Sequence, residues 1–255
     1  PNSSNLSKAI SCVSYAHHAW IDKKASQIRM SFNRNVLDLF RHWVAVHPDD
    51  KAIIVSNQCL TFKTLDELSN QLARYLLDNG ISKGDVACIE LPKRLETFAL
   101  LLACLKIGAP FVVMDVHAPL DRALRIITSC RPKIVMSFRQ HIDGSPIIKD
   151  FRSLREMCCQ YDKSLFQTKT PIKPDDPAYI MFTSGSTGEP KGAINTHRGL
   201  FGLVNWAKNA FSITTKDRLT NVNPIYFDNS VFDIWCSLFN GAGFVSIDVA
   251  NVTTP

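Results

Sequence analysis

The sequence predicts an α/β protein, with largely parallel sheets and helices on both faces. Three observations carry that class. Short apolar runs bounded by turn residues recur along the chain, and helical segments alternate with them. Most crossovers are long enough to return the next strand parallel to the last. The 255 residues, 45% hydrophobic and 20% charged, suffice for a sizeable core.

Residues 1–33 are rich in Ser, Asn and Lys and read as a linker or N-terminal arm, with a short helix over Ala9–Trp20. From Asn35 the spacing of Val36, Leu37, Phe40, Trp43 and Val44 predicts a helix that ends at His47-Pro48. Ala52–Val55 and Leu60-Thr61-Phe62 read as strands. Thr64 is the expected N-cap of a helix carrying Leu65, Leu68, Leu72, Leu76 and Leu77 on one face, stopped by Gly80.

Strand Asp85–Leu91, helix Leu95–Ile107, strand Ala109–Met114, helix Leu120–Cys130 and strand Lys133–Ser137 follow in alternation. Such alternation is the pattern of βαβ units. Asp143–Pro174 is a polar connection with one short helix near Arg152–Cys159. Beyond strand Tyr179–Phe182 come helix Arg198–Phe211, strand Arg218–Val222, helix Val231–Phe239 and strand Gly243–Ile247.

Composition narrows the function. The formal charge of +6 comes from scattered Lys and Arg, without a basic block interleaved with aromatics, which speaks against nucleic acid. The longest apolar run, Phe98–Leu105, is too short to span a bilayer, and the polar N-terminus has no signal-like segment. Eight cysteines without a C-x-x-C spacing argue against zinc and thioredoxin chemistry and fit a reducing, cytoplasmic setting. His17-His18 reads as a surface pair rather than a metal site.

One stretch dominates. Tyr179–Gly192 reads YIMFTSGSTGEPKG, a buried strand opening into Thr183-Ser184-Gly185-Ser186-Thr187-Gly188, where each residue is small, hydroxylated or both. Backbone N–H groups and short O–H donors in such a loop suit phosphate oxygens. The Walker A spacing is absent, so another way of handling nucleotides is required.

The stretch resembles the phosphate-binding motif of adenylate-forming (AMP-binding) enzymes. It is most similar to that of the amino-acid adenylation domains of nonribosomal peptide synthetases and of D-alanine–carrier protein ligases. Leu60–Leu77, Leu105–Arg122 (LKIGAPFVVMDVHAPLDR) and Tyr226–Trp235 (YFDNSVFDIW) resemble three further motifs of that family, in order. The resemblance runs from about Asn35 to Ile247. It identifies residues 34–255 as the N-terminal portion of an adenylation domain.

The resemblance implies a reaction of a carboxylate with Mg-ATP to give an acyl adenylate and pyrophosphate. Transfer to the phosphopantetheine thiol of a peptidyl carrier protein follows, beside neighbouring synthetase domains. ATP and Mg²⁺ are the implied cofactors, and a monomer is expected. Thr183, Ser184, Ser186 and Thr187 would bond the β- and γ-phosphates, and Gly185 and Gly188 would let the backbone approach. Lys191 would add positive charge near the leaving pyrophosphate.

Asp228 falls where the amino-acid-activating branch pairs an aspartate with the substrate ammonium, although its place ahead of a helix also suits capping. Phe227, Asn229 and Phe232 would line the same pocket, with Phe227 in place of the histidine of many CoA ligases. Asp233 reads as an exposed helix residue, and His197-Arg198 as a structural pair.

The family's tyrosine-glycine-proline-threonine-glutamate motif, its ribose-binding aspartate and its C-terminal catalytic lysine have no counterpart here. No catalytic residue and no metal ligand is therefore assigned, and the chain alone is expected not to complete adenylation. The rival readings are a D-alanine–carrier protein ligase, an acyl- or aryl-CoA ligase, and a non-catalytic nucleotide-binding or interaction remnant.

Overall fold

The computed structural model describes residues 35–139, 151–184 and 190–247. The expectations for residues 1–33, His17-His18 and Cys12 lie outside these ranges. Contacts divide the chain at Arg34/Asn35, and the described residues belong to the second unit.

The sheet expectation divides into two sheets. One has the order β2-β1-β9-β8, built from β1 (Lys51–Val55), β2 (Gln58–Thr61), β8 (Arg218–Asn221) and β9 (Gly243–Ser246). The other has the order β5-β3-β4-β6-β7, built from β3 (Ala87–Glu90), β4 (Phe111–Val113), β5 (Ile134–Ser137), β6 (Pro177–Ser184) and β7 (Pro190–Thr196). Each is parallel except for one antiparallel pair at an edge, β1–β2 in the first and β6–β7 in the second. Alternation along a sequence reports strands and helices but not how strands are shared between sheets.

Helix Leu95–Ile107 is the centre of the fold. All thirteen residues are buried, because it has apolar neighbours on every side. Phe98 meets Phe244 of β9 edge-on at 4.9 Å. Leu101 faces Phe111 and Val113 of β4 in the other sheet. Helices Phe62–Asp78 and Phe151–Cys158 pack along it.

Its one buried cation is fully engaged. Lys106 Nζ lies 2.6 Å from Asp66 Oδ1 and 2.7 Å from both Ser69 Oγ and Asn70 Oδ1. Burial pulls the Lys106 ammonium down to about 8, against the opposing pull of Asp66.

Two local expectations change. Helix Phe62–Asp78 begins earlier than Thr64, and its N-cap is Thr61, whose hydroxyl accepts from the Thr64 N–H at 3.2 Å. Thr64 Oγ1 accepts the Thr61 N–H in return at 2.8 Å, so Thr64 is the other half of a capping box. Strand β7 has no counterpart among the elements the sequence predicts. PKGAINT is a mostly exposed edge strand that starts on proline, so it lacks the alternation of a half-buried strand.

Helix Val36–Val46 is tied in by Trp43, whose Nε1 donates to Phe239 O at 2.9 Å. The indole lies against Gly241, where a Cβ would come within 2.6 Å of the ring. Gly241 also has φ +78°, so glycine is required there twice over.

Candidate functional site

The signature stretch forms the β6–β7 hairpin. Phe111 of β4 pairs with Tyr179, which places Val113 level with Met181 and lets Phe182, Thr183 and Ser184 run past the sheet's carboxyl edge. Ile180 and Phe182 pack against a core of Cys88, Val112, Met114, Ile126 and Val135. Gly192, opposite Phe182, leaves little room for a Cβ, which would sit 3.0 Å from Ile180 Cγ2 and 3.1 Å from the Phe182 ring. The glycine therefore seats β7 on those two side chains.

At the hairpin's end Thr183 pairs with Lys191 and Ser184 with Pro190. Thr183 and Lys191 are both exposed. Directly paired residues project to one face, so a hydroxyl and an ammonium share the hairpin mouth. Lys191 stands on a strand rather than in the loop where the sequence placed it. Gly185, Ser186, Thr187 and Gly188 lie outside the described residues, and Ser184 is described by its backbone only.

The second motif leaves the carboxyl end of β8. Helix Asp228–Val231 continues into a π-helical stretch, Phe232–Cys236, a form of helix frequent at functional sites. The helix starts a turn earlier than its apolar pattern indicated. Phe227 takes the N-cap position, and Asp228 Oδ1 accepts its neighbour Asn229 N–H at 2.9 Å. Asp228 thus sits in the first turn, where a carboxylate is favoured, without being the cap residue.

Phe227, Asp228 and Asn229 are exposed, Phe227 by 52%. The dry pocket expected around Asp228 is not formed by the described residues, which supply one wall. Phe232 is half-buried and meets Phe211 at 5.4 Å and Trp206 at 6.3 Å, both edge-on.

The two motifs are neighbours. Tyr179, Ile180 and Met181 pack against Ile225, Ser230, Val231 and Ile234 with a residual space of about 10 Å³. Burial raises the Tyr179 phenol to about 12, and the charges of Cys236 and Asp228 add to the shift. The Asp228 carboxylate is therefore felt on the strand that feeds the hydroxyl-rich loop.

Behind the wall lies a cleft of about 300 Å³ lined by Leu91, Lys93, Met114, Asp115, His117 and Tyr226, among others. Its segments follow β3, β4 and β8, at the carboxyl ends of parallel strands, where open α/β sheets take ligands. Lys93 Nζ donates to Asn221 O at 3.0 Å, Val222 O at 3.1 Å and Ile247 O at 3.1 Å. One side chain from the five-stranded sheet thus holds two strand ends of the other. Burial raises the Tyr226 phenol, and the neighbouring Asp115 carboxylate adds to the shift.

Sequence reasoning missed Lys93, Asp115 and Tyr226 as neighbours. The available signal was that each follows a strand's carboxyl end. It also misread Asp233, which is half-buried, accepts from Asn221 Nδ2 at 3.1 Å and is raised by burial.

Arg139 is a further brace at the same edge. Its Nη2 donates to Val116 O at 2.8 Å and Ala118 O at 2.7 Å, and its Nε lies 3.2 Å from the buried Glu90 Oε1. His197 and Arg198 open the helix His197–Phe211 that follows β7. Arg198 grips Asp175 through Nε at 2.7 Å and Nη2 at 2.8 Å. The His197 ring is 1% exposed beside the Lys83–Asp176 ion pair, and burial lowers it to about 4. Among the described residues no group of three His, Cys, Asp or Glu side chains could hold a metal ion. None of the described helices is long and apolar enough to cross a membrane.

The model of the family described as AMP-binding enzyme matches residues 40–255. Tyrocidine synthase 1 of Brevibacillus parabrevis is 31% identical over 214 residues, which cover 82% of this chain and 19% of that protein. Malpibaldin synthetase of Mortierella alpina is 36% identical over 221 residues, 85% of this chain and 4% of that protein.

Among solved structures, the Klebsiella oxytoca NpsA N-terminal subdomain in complex with 3-hydroxyanthranilyl-AMSN superposes with a TM-score of 0.75 at 27% identity. The match covers 84% of this chain and 53% of that one. NpsA-ThdA, an artificially fused adenylation–PCP di-domain from the same organism, superposes with a TM-score of 0.76 at 27% identity, over 84% of this chain and 43% of that one. The chain spans a fifth or less of these two curated relatives and about half of the NpsA subdomain.

Proposed function

The chain belongs to the AMP-binding enzyme family, and from that premise we propose that it contributes the phosphate grip and one substrate wall of an amino-acid adenylation site. In this reading an amino acid carboxylate attacks the α-phosphorus of ATP, giving an aminoacyl adenylate and releasing pyrophosphate. Mg²⁺ arrives on the triphosphate as part of the substrate. Thr183, Ser184, Ser186 and Thr187 hold the β- and γ-phosphates, the backbone at Gly185 and Gly188 comes close to them, and Lys191 offsets charge on the departing pyrophosphate.

Asp228 receives the substrate's α-ammonium, and Phe227, Asn229 and Phe232 border its side chain. A peptidyl carrier protein with a phosphopantetheine arm then takes the acyl group, in the company of neighbouring synthetase domains. An adenylation–PCP fusion among the structural relatives supports that partnership. The observation that carries the reading is the packing of Tyr179–Met181 on the Asp228 wall. It brings the segment that carries Asp228 against the strand that runs into the hydroxyl-rich loop, which supports the reading.

A second reading is an aryl carboxylate. NpsA structures are named with 3-hydroxyanthranilyl, anthranilyl and 3-hydroxybenzoyl adenylate analogues. Asp228 discriminates between the two, because a benzoate without an amine offers the carboxylate no cation to pair with.

The test is amino-acid-dependent ATP–pyrophosphate exchange in the full-length protein, over a panel of α-amino acids and benzoates. Replacing Asp228 by Ala should lower α-amino acid activation at least about 100-fold, the loss expected for one buried charge pair. Unchanged activation in that variant would sink the ammonium assignment. A panel answered by benzoates alone would favour the second reading.

A further inference from the structure

Two thiols far apart in sequence meet beneath the cleft. Cys88 on β3 and Cys130, the last residue of helix Leu120–Cys130, are 42 positions apart, yet their sulfurs lie 3.5 Å from each other. No other pair of described cysteines is in sulfur–sulfur contact. Cys88 is fully buried among Val112, Met114, Ile126 and Val135, whereas Cys130 is partly open to solvent.

A disulfide requires its sulfurs about 2.05 Å apart. The pair therefore has to close by roughly 1.5 Å, a distance within reach of side-chain rotation at a helix end. Nothing in the phosphate grip or the substrate wall uses either sulfur.

We propose that Cys88 and Cys130 form a reversible oxidation site, a dithiol that a peroxide converts into an intramolecular disulfide. The two sulfurs have separate tasks. The two sulfurs share one hydrogen bond that either thiol can donate, and burial favours the protonated form of Cys88. Cys130 is the sulfur that solvent, and with it a peroxide, can reach.

The Cys130 thiolate attacks one peroxide oxygen, the O–O bond breaks, and hydroxide leaves, giving a sulfenic acid. The Cys88 sulfur then displaces hydroxide from the Cys130 sulfur as its own proton departs. Overall two thiols and one hydrogen peroxide become one disulfide and two waters. The cross-link pins the end of helix Leu120–Cys130 to β3 and stiffens a cluster whose Met114 lines the cleft.

The test uses the full chain, treated with a small excess of hydrogen peroxide, alkylated without reduction and mapped by mass spectrometry. A peptide pair joined through Cys88 and Cys130 is expected. The thermal midpoint should rise by roughly 5 °C, reversed by dithiothreitol, because the bond closes a long loop. Cys130→Ser should show neither change. Cys88→Ala should stop at a Cys130 sulfenic acid that dimedone traps. Alkylated Cys88 and Cys130 after peroxide has oxidised the exposed Cys59 and Cys159 would overturn the site. So would a different pairing, or Cys130 accumulating as sulfinic acid in the unsubstituted chain. None of these readouts depends on adenylation.

Discussion

Thr183 and Lys191 are paired across the antiparallel β6–β7 ladder, at the mouth of the hydroxyl-rich loop. Both are exposed, so neither is needed to hold the hairpin together. Lys191→Met should lower kcat/KM for ATP about 10- to 100-fold, from a lost charge-assisted contact of roughly 1.5–3 kcal/mol. Thr183→Val should cost about fivefold. The thermal midpoint should move by less than about 2 °C in both variants. Pyrophosphate exchange and a melting curve on each variant separate binding from folding.

Gly241 faces the opposite consequence. An alanine Cβ there would lie 2.6 Å from the Trp43 ring, at φ +78°. Gly241→Ala should therefore destabilise by about 3 kcal/mol, combining overpacking with left-handed strain. For a chain of this size that lowers the melting temperature by roughly 6–12 °C. Adding Trp43→Phe should recover the packing share and leave the backbone share, which differential scanning calorimetry can resolve.

His197 makes stability depend on acid. Its folded value near 4 lies below the ordinary 6.5, with burial the main cause, Asp176 opposing it and Lys83 reinforcing it. Between those values the unfolded imidazole binds a proton that the folded one does not. Stability is then complete above about pH 6.5 and falls as pH drops toward 4, by on the order of 3 kcal/mol. Urea midpoints measured from pH 7 to pH 4.5 should show that slope, and His197→Gln should flatten it. Neither ring nitrogen has a hydrogen-bond partner among the described residues.

Lys93 gives a fourth expectation. Its ammonium satisfies Asn221 O, Val222 O and Ile247 O, at the ends of β8 and β9. Lys93→Met would strand those carbonyls and should cost about 2–4 kcal/mol. Hydrogen exchange should quicken first at β8 and β9, and Lys93→Arg should restore part of the protection.

The regular elements were legible wherever local pattern and burial agreed. Helix Leu95–Ile107 and Gly108 can be read directly, because an apolar run closed by glycine has one simple meaning. The capping box shows the limit of that reading, since Thr61 and Thr64 are equally good cap residues in one dimension. Strand β7 does not show in the sequence because only Pro190 of Pro190–Thr196 is buried, with Lys191–Ile194 exposed and Asn195 and Thr196 half-buried. Asp228 and its neighbours stand out in the sequence as site candidates, but their exposure depends on what faces them and is not legible there. The cleft residues Lys93, Asp115 and Tyr226 come from three distant loops that only the strand order brings together.

Strand order also sets a clock. In the four-stranded sheet Ile53 pairs with Phe244, so β1 and β2 leave the ribosome long before β9 exists to complete them. At about 5–20 residues per second the wait is on the order of ten to forty seconds. During it the edge of β1 that β9 will cover stays open, and so does the side of Phe98 that Phe244 will close. A nascent chain paused between β7 and β8 should therefore engage chaperones through that early hairpin, and release them once Phe244 arrives.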